Sequence, residues 1–269
     1  MDDNRIAAGL LALWGTGRQI ARGQWPGLDF AQAYRVTARV AAARRGCGER
    51  PVGRKIGFTN TSIWPNYGVD SPMWNYVYDS TLRALGPDAT LDPEGLPEPR
   101  IEPEIVLGLS AAPDPGMDEA ALLGCIDWVA HGFEIVQSVY RDWRFSGPEA
   151  AAAFGLHGRL FVGPRQPIAG DRAAWGEALP RLRVTLLRDG APVAEGRGSD
   201  VLGGPVSALR FLVAEIARHP ANPPLAAGEI VTTGTLTDAQ PVAPGETWST
   251  RLEGVPLDGL TLPVARPAR

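Results

Sequence analysis

Three glutamates in apolar surroundings are the residues of this chain whose type and spacing most plainly suggest chemistry. The segment Ile101-Glu102-Pro103-Glu104-Ile105-Val106-Leu107-Gly108-Leu109 reads as a β-strand, and alternate residues of a strand share a face. Ile101, Pro103, Ile105, Leu107 and Leu109 point one way. Glu102 and Glu104 point the other way, about 7 Å apart along the strand. Two dehydrated carboxylates so placed repel each other. A divalent cation removes that conflict; the plainer alternative is an edge strand with a solvated acidic face. Glu134 is the third, within His131-Gly132-Phe133-Glu134-Ile135-Val136-Gln137-Ser138. A carboxylate in so apolar a run must pair with an arginine or ligate a cation. Three carboxylates on two core strands form a hard-oxygen site, suited to Mg²⁺ or Mn²⁺ better than to Zn²⁺.

Lys55 is the next candidate. The chain has 26 lysines and arginines, and Lys55 is the single lysine among them. It lies in a short strand, Val52 to Phe58, between Gly53 and Gly57, and glycines let a ligand approach the backbone closely. A lysine beside a metal has a lowered pKa and can transfer protons or hold an anion; otherwise it is a surface lysine. Gly234-Thr235 follows an apolar strand and could offer N–H groups and a hydroxyl to a carboxylate, or be a plain turn. His219 precedes Pro220 and reads as a helix-end residue, whereas His131 and His157 are either structural or acid/base groups. No P-loop, H-E-x-x-H or G-x-S-x-G motif occurs, and no G-x-G-x-x-G follows a strand.

These residues need a scaffold. The 269-residue chain is long enough for a large core without disulfides or metals as staples. Its 32 glycines and 25 prolines imply many turns, hence a strand-rich fold. Asn4 is placed to cap a helix over 5–21, and Asp29 a second over 30–45. Residues 59–75 read as a long loop. From Ile101 onward short apolar runs alternate with Pro/Gly punctuation and read as strands. One helix interrupts them, opened by Gly204-Pro205 and closed by His219-Pro220. The expected organisation is a helical region over 1–50 and a β-rich catalytic core over 51–269, packed as one compact unit.

A net charge of −4 lacks the basic footprint of a nucleic-acid binder. No apolar run reaches the ~18 residues of a membrane span. Two cysteines cannot build a disulfide framework, and the start Met1-Asp2-Asp3-Asn4 is acidic where a secretory signal would be basic. A cytoplasmic location is therefore expected.

The strings Gly53-Arg54-Lys55-Ile56-Gly57-Phe58-Thr59, Ile101-Glu102-Pro103-Glu104, Phe133-Glu134-Ile135-Val136-Gln137-Ser138 and Thr233-Gly234-Thr235, then Pro244-Gly245-Glu246, occur in an order that resembles one family. This is the 2-keto-4-pentenoate hydratase branch of the fumarylacetoacetate hydrolase superfamily, with which 4-oxalocrotonate decarboxylases share motifs. The resemblance covers roughly residues 50–265. It implies an α+β fold, a mixed β-sheet roll with flanking helices, usually in a homo-oligomer. It implies that Glu102, Glu104 and Glu134 ligate Mg²⁺ or Mn²⁺, that Lys55 stands near the substrate, and that Thr235 contacts the substrate carboxylate. Gly57 and Gln137 are further candidate substrate contacts, and His157 a candidate acid/base. Gln137 stands where the family usually has an acidic residue, Pro72-Met73-Trp74 lacks the acidic residue many hydratases carry there, and Gly155-Leu156-His157-Gly158 departs from the usual small polar residues. The expected reaction adds water to a 2-hydroxy-2,4-dienoate, a small 2-oxo acid in its other tautomer, giving a 4-hydroxy-2-oxo acid. Decarboxylation of a 2-oxo-3-enedioate, C–C hydrolysis of an acylpyruvate and non-catalytic ligand binding are the alternatives.

Overall fold

The computed structural model describes residues 2–266. In chain order its helices are α1 (Asp3–Leu11), α2 (Phe30–Gly46), α3 (Trp64–Tyr67), α4 (Glu119–Gly124), α5 (Gly147–Ala152), α6 (Arg172–Ala178) and α7 (Pro205–Ala217). The strands are β1 (Pro51–Gly57), β2 (Met73–Tyr78), β3 (Leu82–Ala84), β4 (Arg100–Leu109), β5 (Ile126–Val136), β6 (His157–Val162), β7 (Gln166–Pro167), β8 (Arg183–Arg188), β9 (Ala191–Arg197), β10 (Ile230–Thr235), β11 (Gln240–Pro241), β12 (Thr247–Glu253) and β13 (Thr261–Pro263).

A large mixed sheet runs in the order β2-β1-β10-β4-β5-β6-β3, and a smaller one in the order β13-β12-β8-β9. The β1–β10 and β3–β6 pairings are parallel, and the other neighbours in the large sheet are antiparallel. The acidic strand β4 lies inside this sheet, between β10 and β5, so the edge-strand alternative does not hold. Its two faces meet different surroundings. Ile101 joins Phe133, Ile135 and Phe161 against Trp248 and Leu262 of the small sheet. On the inner face, Val106 packs with Ala130, Leu160, Val162 and Ile230 into a small apolar cluster.

Strand alternation also orients Lys55. Its neighbours Arg54 and Ile56 face the helical side, where Tyr34 of α2 stacks on Trp74 of β2 at 4.8 Å. The Arg54 guanidinium lies 4.0 Å from the centre of the Tyr76 ring and pairs with Glu229 at 3.1 Å. These contacts hold β1 so that the residue between them, Lys55, turns inward. Ile6 and Leu10 of α1 and Val36 and Val40 of α2 belong to the apolar cluster that contains Trp74 and Tyr76.

Two elements differ from the sequence reading. The first helix ends at Leu11 rather than near Ala21, and the chain then turns through Gly15 and Gly17 at φ +69° and +68°, with the Thr16 hydroxyl donating to the Leu13 carbonyl at 2.8 Å. Its cap is Asp2, which accepts from the Asn4 N–H. The expected loop over 59–75 gives way to β2 at Met73, since Trp74, Tyr76 and Tyr78 alternate as a strand requires. Asp29 caps α2 as expected, accepting from Gln32 N–H at 2.7 Å. Among the described residues, no helix is long and apolar enough to cross a membrane.

Candidate active site

Glu102 on β4 faces Glu134 directly across the ladder on β5, and Glu104 faces Gly132. One carboxylate oxygen from each of Glu102, Glu104 and Glu134 lies within 4.8 Å of the others. Glu104 and Glu134 are fully buried, while Glu102 keeps partial exposure at a cavity of about 620 Å³.

The two buried carboxylates are each held by one oxygen. Glu104 Oε2 accepts the Gly234 N–H at 2.9 Å. That N–H is available because the β10–β4 register shifts between Thr232 and Thr235, and Gly234 takes φ +99° there. A side chain at 234 would also run into Thr59, whose Oγ1 would stand 2.2 Å from the new Cβ. Glu134 Oε1 accepts from His157 Nδ1 at 2.8 Å. Among the described residues, the other oxygen of each, Glu104 Oε1 and Glu134 Oε2, is buried and makes no hydrogen bond, with the Lys55 ammonium facing Glu134 Oε2 as an ion pair. Buried acceptors left in this way mark where a ligand belongs.

Electrostatics agree. Burial pushes the Glu102 pKa up to about 7, with Lys55 opposing and Glu134 adding to the rise. Burial, Glu134 and Glu102 push Glu104 well above the usual carboxylate range. For Glu134, burial is outweighed by Lys55 and the His157 hydrogen bond, and its pKa is lowered. Burial works against the Lys55 ammonium, but Glu134, Glu102 and Glu104 outweigh it and hold its pKa above the ordinary value. Lys55 Nζ lies 3.5 Å from Glu134 Oε2. All-oxygen donors, convergent and mutually repelling, fit a hard divalent cation, with waters completing its coordination.

The cavity places the other expected residues unevenly. Lys55, Gly57, Glu102 and Thr235 line it. A side chain at Gly57 would meet Met73 Cε at 2.7 Å and approach Lys55 Nζ at 3.5 Å, so this glycine leaves the ammonium accessible. The Thr235 hydroxyl donates to the Thr237 carbonyl at 2.7 Å, so its proton is already committed. Gln137 is not a cavity residue: it lies beyond the end of β5, buried, and donates to the His157 carbonyl at 3.0 Å. His157 is also buried away from the cavity, with Nδ1 on Glu134 and Nε2 on Thr81 Oγ1 at 2.9 Å. A direct acid/base role for His157 at the substrate does not fit this arrangement. His131 bridges the Glu104 carbonyl and Thr250 Oγ1, both at 2.9 Å, and is a structural tie between the two sheets.

The motif search misses most of the cavity wall. Phe58, Tyr67 and Phe145 form a run of stacked rings, 4.9 and 5.5 Å between successive centroids. Arg100 lines the cavity with its guanidinium 4.2 Å from the centre of the Trp143 ring. Strand alternation does carry a signal for Arg100, since it shares a face with Glu102 and Glu104. No local signal marks Tyr67, at the end of α3, or Trp143 and Phe145, from one segment between β5 and α5.

No family model matches the chain. Among curated proteins it is 30% identical over 262 residues to a 2-keto-4-pentenoate hydratase from Burkholderia vietnamiensis, covering 94% of this chain and 96% of that one. It is 28% identical over 233 residues to a 4-oxalocrotonate decarboxylase from Pseudomonas sp. strain CF600, covering 86% and 84%. Among solved structures, the 4-oxalocrotonate decarboxylase of Pseudomonas putida G7, complexed with magnesium and adipate, superposes with a TM-score of 0.88 at 25% identity over 97% of each chain. The curled mixed sheet, the three converging glutamates beside one lysine and this end-to-end similarity together mean that the chain belongs to the 2-keto-4-pentenoate hydratase family of the fumarylacetoacetate hydrolase superfamily.

Proposed function

We propose that this protein is a metal-dependent hydratase that converts a 2-hydroxy-2,4-dienoate to a 4-hydroxy-2-oxo acid. The observation that carries this reading is the convergence of three carboxylates beside the Lys55 ammonium at the floor of a partly aromatic cavity. Glu102, Glu104 and Glu134 would hold Mg²⁺ or Mn²⁺. A bound divalent cation supplies Lewis acidity to the substrate's carboxylate and neighbouring oxygen, and so offsets the charge that develops on ketonisation.

The remaining work falls to the chain's own groups. The stacked Phe58, Tyr67 and Phe145 rings give a planar conjugated chain a flat apolar wall. Ketonisation moves the enol proton to the far end of the diene, leaving a 2-oxo-3-enoate. Water then adds across the remaining double bond, its oxygen to carbon 4 and its proton to carbon 3. Lys55 Nζ, beside Glu134 at 3.5 Å and lining the cavity, can stabilise the enolate oxygen and return a proton as negative charge builds up. The substrate is a small 2-oxo acid in its enol form, and a cytoplasmic homo-oligomer is part of the same proposal. The test is the decay of dienol ultraviolet absorbance with purified protein, with and without Mg²⁺, and identification of the 4-hydroxy-2-oxo acid. A family of dienoates left unchanged in the presence of metal would refute it.

One observation favours a second reading, decarboxylation of a 2-oxo-3-enedioate. Arg100 shares the inner face of β4 with the ligands, one alternation outward from Glu102, and lines the cavity where a second carboxylate would lie. Release of CO₂ from the enedioate, lost in Arg100→Gln while dienoate turnover persists, would support it. C–C hydrolysis needs a base for water, and neither His131 nor His157 reaches the cavity.

A further inference from the structure

Lys55 and His157 stand at different oxygens of Glu134. Oε2 lies 3.5 Å from Lys55 Nζ and, among the described residues, makes no hydrogen bond. Oε1 faces away, onto His157. A carboxylate only accepts hydrogen bonds, so the His157 ring presents its proton on Nδ1. On the far side, Nε2 meets the Thr81 hydroxyl at 2.9 Å, a hydroxyl whose proton is shared with the Tyr78 carbonyl at 3.0 Å and whose oxygen accepts from the Tyr78 N–H at 3.2 Å. The ring is thus gripped at both nitrogens. Its backbone is gripped too, since the His157 carbonyl accepts from Gln137 Nε2 at 3.0 Å. Glu134, His157 and Thr81 are all buried, so none of these bonds competes with bulk water.

From this geometry we infer that His157 is a positioning residue for the metal site: with Thr81 behind it, it pins Glu134 Oε1 and so presents Oε2 as the single metal-binding oxygen. The inference rests on the metal-site reading above. Gly234 does the same for Glu104 from the backbone, pinning Oε2 and leaving Oε1. Each carboxylate would therefore offer a cation one oxygen, the other being held from behind. Such outer hydrogen bonds fix ligand orientation and raise affinity for the ion. The role accounts for two residues that face no substrate: His157 as the clamp on Glu134, and Gln137 as the clamp on the backbone of His157.

Three variants separate this role from a structural one. In His157→Asn, the side-chain amide can occupy the place of Nδ1 and still donate to Glu134. In His157→Gln, the amide reaches instead to the place of Nε2, near Thr81, and leaves Glu134 Oε1 without its donor. Thr81→Val removes only the contact behind the ring. Mn²⁺ binding, measured without substrate from the electron-paramagnetic signal of the free ion, should weaken about 10- to 100-fold in His157→Gln. It should weaken less in Thr81→Val, and stay within about threefold of wild type in His157→Asn. Turnover of the Gln variant should recover at saturating Mn²⁺, which loss of a proton-transfer group would not allow. Equal Mn²⁺ affinity in the Asn and Gln variants would overturn the inference. If thermal melting shows that His157→Gln does not fold, unchanged affinity in Thr81→Val would overturn it instead. Failure of the wild type to bind Mn²⁺ would overturn the metal reading itself, and this inference with it.

Discussion

Lys55 Nζ stands 3.5 Å from Glu134 Oε2, although β10 and β4 lie between their strands in the sheet. In a flat sheet three strand spacings are about 14 Å. The two side chains cannot span that distance and meet in a flat array. The sheet must curl, and its curl turns β1 towards β5. The active site is therefore a product of sheet curvature: the ligands come from one ladder and the ammonium from across the roll.

Replacing Lys55 with methionine should separate catalysis from metal binding. Lys55 pairs with Glu134 as an ammonium rather than as a metal ligand, and its positive charge opposes a cation at the glutamates. Turnover of the dienoate should fall about 10²- to 10⁴-fold, the usual range for removing a positioned proton-transfer group. Mn²⁺ affinity should stay the same or tighten. A parallel loss of metal binding would show that Lys55 acts by building the site rather than by chemistry.

Gly155 presses on the stem of that lysine. It takes φ +58°, and a Cβ there would stand 2.7 Å from Asn75 Cβ and 3.2 Å from Lys55 Cδ. Gly155→Ala should cost about 1–3 kcal/mol through backbone strain alone. It should also lower kcat by displacing the ammonium. Denaturant unfolding and steady-state kinetics on the same preparation check both effects, and a variant with wild-type kcat would show that Lys55 tolerates the shift.

His131 gives the fold an acid sensitivity of known sign. Burial lowers its pKa to about 4, with the hydrogen bond to the Glu104 carbonyl opposing. The unfolded chain takes up the proton at the ordinary value near 6.5. Between about pH 6.5 and 4 the unfolded state binds more protons, so stability falls as pH drops through that window and levels off below it. The full contribution is roughly 3 kcal/mol. Denaturant unfolding of metal-free protein at pH 7 and pH 5 should show a larger loss in wild type than in His131→Asn. Equal losses would assign the acid sensitivity to other groups.

Short-range pattern made part of this site readable. Alternation put Glu102 and Glu104 on one face, and an apolar run exposed Glu134 as a carboxylate in need of a partner. A lone lysine between glycines was conspicuous for its type. The pairings that complete the site join distant segments. Thr81 stands in no motif, yet it completes the His157 contact from 76 residues away. Gln137 is a candidate substrate contact by its place in the family motif, but the strand ends at Val136 and its side chain turns onto the His157 carbonyl. The first helix stops short of its apolar stripe, where the chain turns through Gly15 and Gly17 at positive φ.

The most direct measurement is the anomalous difference map of crystals soaked in Mn²⁺. A single peak should appear within about 2.2 Å of Glu104 Oε1 and Glu134 Oε2, with a Glu102 carboxylate oxygen completing the protein ligands, and it should vanish in Glu104→Gln. A map with no peak among these three glutamates, or with manganese held elsewhere by other side chains, would contradict a hydratase built on this site.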